Sequence, residues 1–297
     1  MRAMIDSSGR KDSDRPNLLN LGCGTRVHAE WVNADLAPDS NDVVAVDLTG
    51  DLPFARQSFD AVYCSHVLEH LARPDAAALL GRILGLLRPG GILRVLVPDL
   101  QAVARSYLEL LAQLERDPDS REAEYDWILL EMYDQVTRRE PGGDMLRYLA
   151  DAPARSLDFA RSRIGAEALS WRDAAARPNS TPAGAWRRLR RAISAARLRL
   201  AGAAAAAIGG SAARHAFAEG NFRQSGEVHR WMYDGYSLAR ALRRAGFVNV
   251  ARQTASASRI ADFARYRLDV DEKGAVRKPD SLYMEGERAL AGAGGHS

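Results

Sequence analysis

Three groups of residues in this chain combine types and spacings that suit chemistry. The first is Leu18-Leu19-Asn20-Leu21-Gly22-Cys23-Gly24 with Asp35 eleven residues past Gly24. It reads as a buried strand running into a glycine turn, then a second strand ending in a carboxylate. Such a sheet presents a nucleoside: main chain approaches the ligand at the glycines and the acid holds the ribose diol. A dinucleotide fits less well. That fingerprint wants a third glycine where Val27 stands, and a full helix facing the pyrophosphate.

The second group is His66-Val67-Leu68-Glu69-His70. On a helix, this spacing sets two histidines one turn apart with a glutamate between them, the H-x-x-E-H pattern of one class of zinc hydrolase. No third ligand can be singled out downstream, and the motif directly follows an apolar strand, so no metal is expected. The third group comprises Glu131, Asp134, Gln135 and Arg138 at helical spacing, together with His229, Trp231, Tyr233 and Asp234. Aromatic platforms mixed with amides and carboxylates suit a carbohydrate. A solvated helix face and a core aromatic are the plainer alternatives.

The elements that must position these groups alternate strand and helix over the first hundred residues, as in a parallel sheet covered on both faces. Residues 43–48, 61–65 and 92–97 are short apolar runs expected as buried strands. Residues 74–87 carry apolar positions at helical spacing, with Pro89-Gly90-Gly91 as the stop. Only six residues separate Gly24 from Trp31, and six separate Leu36 from Val43. Parallel crossovers normally take a dozen or more, so the first two crossover helices must be reduced to single turns or lost. Residues 101–226 read as helical and irregular. Helices are expected over 106–115, 125–138, 155–176 and 186–200, a linker over 178–182, and poor order over 203–210. Residues 237–244 read as a helix, 248–253 and 281–285 as strands.

Residues 17–99 resemble the core of the class I S-adenosylmethionine-dependent methyltransferases, type 11 branch. The resemblance rests on Asn20-Leu21-Gly22-Cys23-Gly24, Asp35, Asp47-Leu48, Leu52-Pro53-Phe54, Ser58-Phe59-Asp60, Val67-Leu68-Glu69-His70-Leu71 and Leu87-Arg88-Pro89-Gly90-Gly91. Looser matches at Trp231-Met232-Tyr233-Asp234, Ala245-Gly246-Phe247 and Ser281-Leu282-Tyr283-Met284-Glu285 resemble a bacterial subgroup associated with surface-polysaccharide synthesis.

The resemblance implies an α/β fold: a doubly wound, Rossmann-like, mostly parallel sheet ending in an antiparallel C-terminal hairpin, with shortened first crossovers and a large helical insertion. It implies S-adenosylmethionine as cofactor, held by Leu21, Gly22, Cys23 and Gly24, by Asp35 and Leu36 at the ribose, by Asp47 and Leu48 at the adenine, and by Ser65 and His66. Asp51 competes with Asp47 for the adenine. In O-methylating relatives a histidine at the position of His70 is a general base, and an acid matching Asp99 positions it. His70 packing on the cofactor without proton transfer is the alternative. Asp134, Gln135, Arg138, His229 and Tyr233 are the candidate acceptor contacts, the acceptor being a sugar hydroxyl of a polysaccharide precursor.

The expected organisation is a disordered leader (1–15), a cofactor-binding core (16–105 and 227–288), a helical insertion over the acceptor (106–226) and a flexible tail (289–297). Hydrophobic residues make up 46% and charged residues 27% of the chain, as in ordinary globular proteins. No run of eighteen apolar residues exists, and the polar N-terminus lacks the apolar stretch of a signal peptide. Two cysteines form no disulfide framework, which points to a reducing, cytoplasmic setting. The net charge of +3 is uneven, because nine arginines and one acid lie between Arg177 and Arg223. Arginine outnumbers lysine 38 to 3 with abundant alanine, the mark of a GC-rich genome and poor evidence for nucleic acid. No aromatics interleave these arginines as single-strand binding would want. The arginine-rich helix suits weak peripheral contact with an anionic membrane surface, against the plainer reading of a solvated face.

Overall fold

The computed structural model describes residues 16–38, 40–176 and 185–290, and side chains outside 174–176 and 185–195. The expected leader, the 178–182 linker, residues 291–297 of the tail and the faces of residues 186–195 therefore lie outside the described residues. The chain divides into two compact units, Met1–Ala102 with Arg230–Ser297, and Val103–His229.

The first unit is built on seven strands: β1 (Leu18–Leu21), β2 (Val32–Asp35), β3 (Val43–Ala45), β4 (Phe59–Ser65), β5 (Leu87–Pro98), β6 (Val248–Gln253) and β7 (Ser281–Glu287). Their order is β3-β2-β1-β4-β5-β7-β6. The first five run parallel, and β7 lies antiparallel between β5 and β6. This is the expected doubly wound sheet with its antiparallel end. The strand order reverses between β1 and β4, the switch point where such sheets take their ligands.

The first crossovers are indeed minimal. Residues 22–31 form turns, and the described residues between β2 and β3 form only bends and turns. A pair of buried asparagines replaces the missing helix. Asn20 Nδ2 donates to Asn33 Oδ1 (3.0 Å) and to the Arg26 carbonyl (2.8 Å), while Asn33 Nδ2 donates to the carbonyls of His28 and Trp31 (both 2.9 Å). These three loop carbonyls thus find partners without helical hydrogen bonds.

Helices α1 (Arg73–Leu86) and, late in the chain, α8 (Gly235–Arg244) cover one face, with Leu79, Leu80, Ile83, Leu238 and Leu242 in its core. Pro74 sits in the first turn of α1, where its missing N–H costs nothing. Asp234 caps α8, its carboxylate accepting from Ser237 N (2.8 Å) in a reciprocal capping box. The other face is covered from the far end of the chain. Residues 254–270, including a 3-10 turn at Phe263–Tyr266, lay Ile260, Phe263, Tyr266 and Leu268 against Leu18, Trp31 and Tyr63.

Arg94 on β5 locks that cover. Fully buried, it bonds Asp269 (2.6 Å) and Glu285 (2.8 Å) and donates to the carbonyls of Thr254 (2.7 Å) and Ala257 (2.9 Å). Tyr63 Oη donates to the second Asp269 oxygen (2.6 Å).

Two local expectations are corrected. Residues 43–48 are not a buried strand: β3 is a three-residue edge strand, and Val44 is exposed because nothing pairs beyond it in the sheet. Pro89-Gly90-Gly91 does not stop α1. The helix ends at Leu86 and β5 begins at Leu87, taking all three residues into the strand.

The second unit is helical: α2 (Leu100–Leu114, its first residues in the first unit), α3 (Glu122–Thr137), α4 (Gly143–Asp151), α5 (Ala154–Ile164), α6 (Glu167–Ala176) and α7 (Ala185–Arg223). Its core gathers Trp127, Ile128, Met145, Leu149 and Ala160. The expected helix over 155–176 is two helices, broken at Gly165 with φ 69°. Residues 203–208 are helical, and the break in α7 falls at Gly209 and Gly210. No described helix is long and apolar enough to cross a membrane.

Candidate active site

The carboxyl ends of β1, β2 and β4 meet around a glycine whose side chain has no room to exist. Gly22 has φ +74°, and a Cβ there would stand 2.3 Å from Val67 Cγ2. Only glycine satisfies both conditions. Gly22 N and Cys23 N converge on the Ala34 carbonyl (2.8 and 3.1 Å), tying the turn to β2. Gly24, at φ +51°, has open space where a side chain would be. The turn is therefore packed on one side and open on the other.

Asp35 fastens the same turn. Its Oδ2 accepts from Gly24 N (2.8 Å) and its Oδ1 from Ala37 N (3.0 Å). A carboxylate offers about four acceptor positions, so this half-exposed group keeps capacity for a ligand diol while its direction is fixed. Leu36 beside it is exposed and Leu48 half-buried. Cys23 is no nucleophile: burial, and secondarily the Asp35 charge, raise its thiol to about 11.

Asp47 lies two residues beyond β3, exposed, accepting from Thr49 N (2.9 Å) and Thr49 Oγ1 (2.7 Å). Those hydrogen bonds hold its carboxyl below the ordinary value. Asp51 is exposed as well.

Past Ser65, the last residue of β4, His66 adopts φ +54°, a left-handed conformation rare outside glycine. Its ring is held at both nitrogens: Nδ1 is 3.0 Å from Glu69 Oε1 and Nε2 is 2.9 Å from Ser281 Oγ. With Glu69 ionised and able only to accept, these distances favour the proton on Nδ1 and the Ser281 hydroxyl donating to Nε2. Glu69 is fully buried, and its charge helps burial push the Cys64 thiol up and the Tyr233 phenol to about 12.

Sequence reasoning missed Ser281, which lies 215 residues from His66; no local spacing could reveal the pair. Residues 68–70 form a 3-10 turn with His66 outside it, so the two histidines share no α-helical face.

Asp99 does not position His70. It is buried at the start of α2, where Oδ1 accepts from Gln101 N (3.1 Å) and Ala102 N (3.2 Å) and Oδ2 from Arg252 Nη2 (2.5 Å). It is a helix cap neutralised by an arginine, and the missing N–H partners of a helix start explain its place. His70, half-buried, closes the 3-10 turn through its N–H to Val67 O (3.1 Å).

The acceptor candidates are divided between the two units, Tyr233 in the first and Asp134, Gln135, Arg138 and His229 in the second. Tyr233 is buried, and its carbonyl receives Leu100 N (2.9 Å). In the helical unit, Asp134 pairs with Arg138 (2.7 Å) and accepts from Asp144 N (2.7 Å), both side chains buried. Glu131 accepts from Trp127 Nε1 (2.5 Å) and pairs with Arg163 (2.7 Å). The solvated-face alternative fails equally, since these charges sit inside. His229 is buried and its N–H donates to the Gln135 carbonyl (2.8 Å).

Residues 19–95, which run from β1 into β5, match the family model described as a methyltransferase domain. No curated protein matches the chain. Among solved structures, CalS10 from Micromonospora echinaspora, an amino pentose methyltransferase with S-adenosylmethionine bound, is 28% identical over 28% of this chain and 43% of its own, with a TM-score of 0.24. The PH0226 protein of Pyrococcus horikoshii OT3 is 18% identical over 33% of this chain and 56% of its own (TM-score 0.28). The CurJ carbon methyltransferase is 12% identical over 95% of this chain and 50% of its own (TM-score 0.35). The chain spans about half the length of the solved structures it matches.

Proposed function

We propose that this protein transfers a methyl group from S-adenosylmethionine to an acceptor hydroxyl, the acceptor being a sugar of a cell-surface polysaccharide precursor. One observation carries the reading: at the switch point of the sheet, an open glycine turn and a fixed carboxylate, Asp35, stand side by side in the segment that matches a methyltransferase domain. The donor set fits a nucleoside with a diol and an amino-acid tail. Gly22 and Gly24 would receive the tail against main chain, Asp35 the ribose, and Asp47 the adenine.

When bound, the cofactor supplies a methyl group already activated on a sulfonium. The chain then has to align the acceptor, exclude water and take one proton. His66 is placed for the proton. For Nε2 to take the proton, the Ser281 hydroxyl would have to turn away from it, and Glu69 at Nδ1 would balance the imidazolium charge. The acceptor class follows from the resemblance and is the part to identify by experiment.

Calorimetric titration of the full chain with S-adenosylhomocysteine tests the core claim. Saturable one-to-one binding, with none for NAD, is the expected result; no binding would refute it. Labelled cofactor with fractionated glycan precursors then identifies the acceptor.

A further inference from the structure

Helix α7 is a hairpin. Gly209 and Gly210 have non-helical backbone angles (φ −125° and 70°), and a Cβ on Gly202 would lie 3.8 Å from the Phe217 ring. Fifteen residues apart in one continuous helix, those positions would be about 22 Å distant. The arms, 185–208 and 211–223, therefore fold back on each other. Small residues make the close approach possible: Gly202 meets Phe217 from the facing arm.

The tip of this hairpin has an unusual chemistry. Residues 200–213 contain no charged side chain. Leu200 is 72% exposed and Ile208, the last residue before the break, is 90% exposed. Behind the tip the nearest charge is Arg214 on the second arm; further back stand Arg197 and Arg199 on the first arm and Glu219 on the second, the three arginines exposed and outnumbering the acid. The sequence holds no acid between Asp173 and Glu219. An apolar point backed by a net-basic stem matches the layering of an anionic membrane surface, where acyl chains lie beneath phosphates. A nucleic acid would engage the arginines and leave Ile208 and Leu200 in water. A second copy of the chain would bring the same basic charges together.

We propose that the α7 hairpin docks the protein on an anionic lipid bilayer, with Ile208 and the alanines of the tip entering the interface and Arg197, Arg199 and Arg214 on headgroup phosphates. The tip is too short to span the bilayer, so the contact is peripheral. It is independent of the methyltransferase reading.

Co-sedimentation of the full chain with vesicles tests it. Phosphatidylcholine mixed with phosphatidylglycerol should retain the protein, and phosphatidylcholine alone should not. Ile208→Glu should lower the affinity about tenfold, and Arg199→Glu and Arg214→Glu about fivefold each. These positions are exposed, so circular dichroism should not change. Retention that survives Ile208→Glu unchanged would overturn the proposal, as would no retention at all. A dimer in solution that Ile208→Glu dissolves, without vesicle binding, would overturn it in favour of a second copy.

Discussion

Ser281 Oγ stands 2.9 Å from His66 Nε2, and Glu69 closes the other side of the same ring at 3.0 Å. The three residues come from the start of β7, the residue after β4 and the turn that follows, and they favour one tautomer of one histidine. Nitrogen-resolved NMR of the full chain should find the His66 proton on Nδ1. A proton on Nε2 would contradict the arrangement. His66→Asn, chosen because asparagine tolerates the left-handed backbone, should lower kcat by about 10²–10⁴-fold and leave S-adenosylhomocysteine affinity nearly unchanged. If affinity falls while kcat holds, His66 is a cofactor contact only.

Asp35 serves two partners in the proposal, the Gly24 N–H and a ligand diol. Asp35→Ala should weaken S-adenosylhomocysteine at least tenfold, about 1.4 kcal/mol. Asp35→Asn, which keeps an acceptor for Gly24, should lose less. Equal affinity in all three proteins, measured by calorimetry, would remove the ribose assignment.

Arg94 neutralises two buried acids. Arg94→Met should cost ~3–5 kcal/mol in urea unfolding, because Asp269 and Glu285 would then be buried without the guanidinium they share. Asp269 also sets a pH slope. Burial raises its carboxyl above the ordinary 3.8, against the opposing pull of Arg94 and Tyr63. The folded state then holds the proton more tightly than the unfolded chain. Its contribution to stability is complete below about pH 4 and lost as pH rises through the folded value. Unfolding midpoints measured upward from pH 4 should carry this falling component, and Asp269→Asn should flatten it.

Asp134 and Arg138 belong to the frame of the helical unit. Asp134→Ala should cost ~3–5 kcal/mol by leaving Arg138 buried and uncompensated. Gly143→Ala should destabilise through the same carboxylate, since its Cβ would stand 2.3 Å from Asp134 Oδ1 at φ +55°. A thermal scan showing neither variant below wild type would return the pair to ligand binding.

The sheet was legible from Leu18, Asp35 and residues 61–65 because buried strands and glycine turns write short-range patterns. So was the loss of the first crossover helices, which follows from chain length alone. The glycine turn and its acid were likewise readable. Asp99 and Tyr233 misled because sequence shows a residue's type but not its partner: an acid after a strand caps α2 as readily as it orients a histidine. Ser281, Arg94 and Asp269 acquire meaning only through contacts across some 175 to 215 residues, which no window along the chain contains. Glu131, Asp134 and Arg138 have the spacing of a solvated stripe and are buried, because α4 and α5 supply their partners.

The cover that residues 254–270 lay over Trp31 and Tyr63 has a consequence for biosynthesis. Strands made first must wait, with aromatic rings in water, until a segment more than two hundred residues later leaves the ribosome. The domain cannot mature co-translationally from its front half. Contacts of such long separation slow the search and prolong the time in which a nascent chain can aggregate. Early sheet and late cover are one cooperative object, and trimming the end of the chain should unmake its beginning.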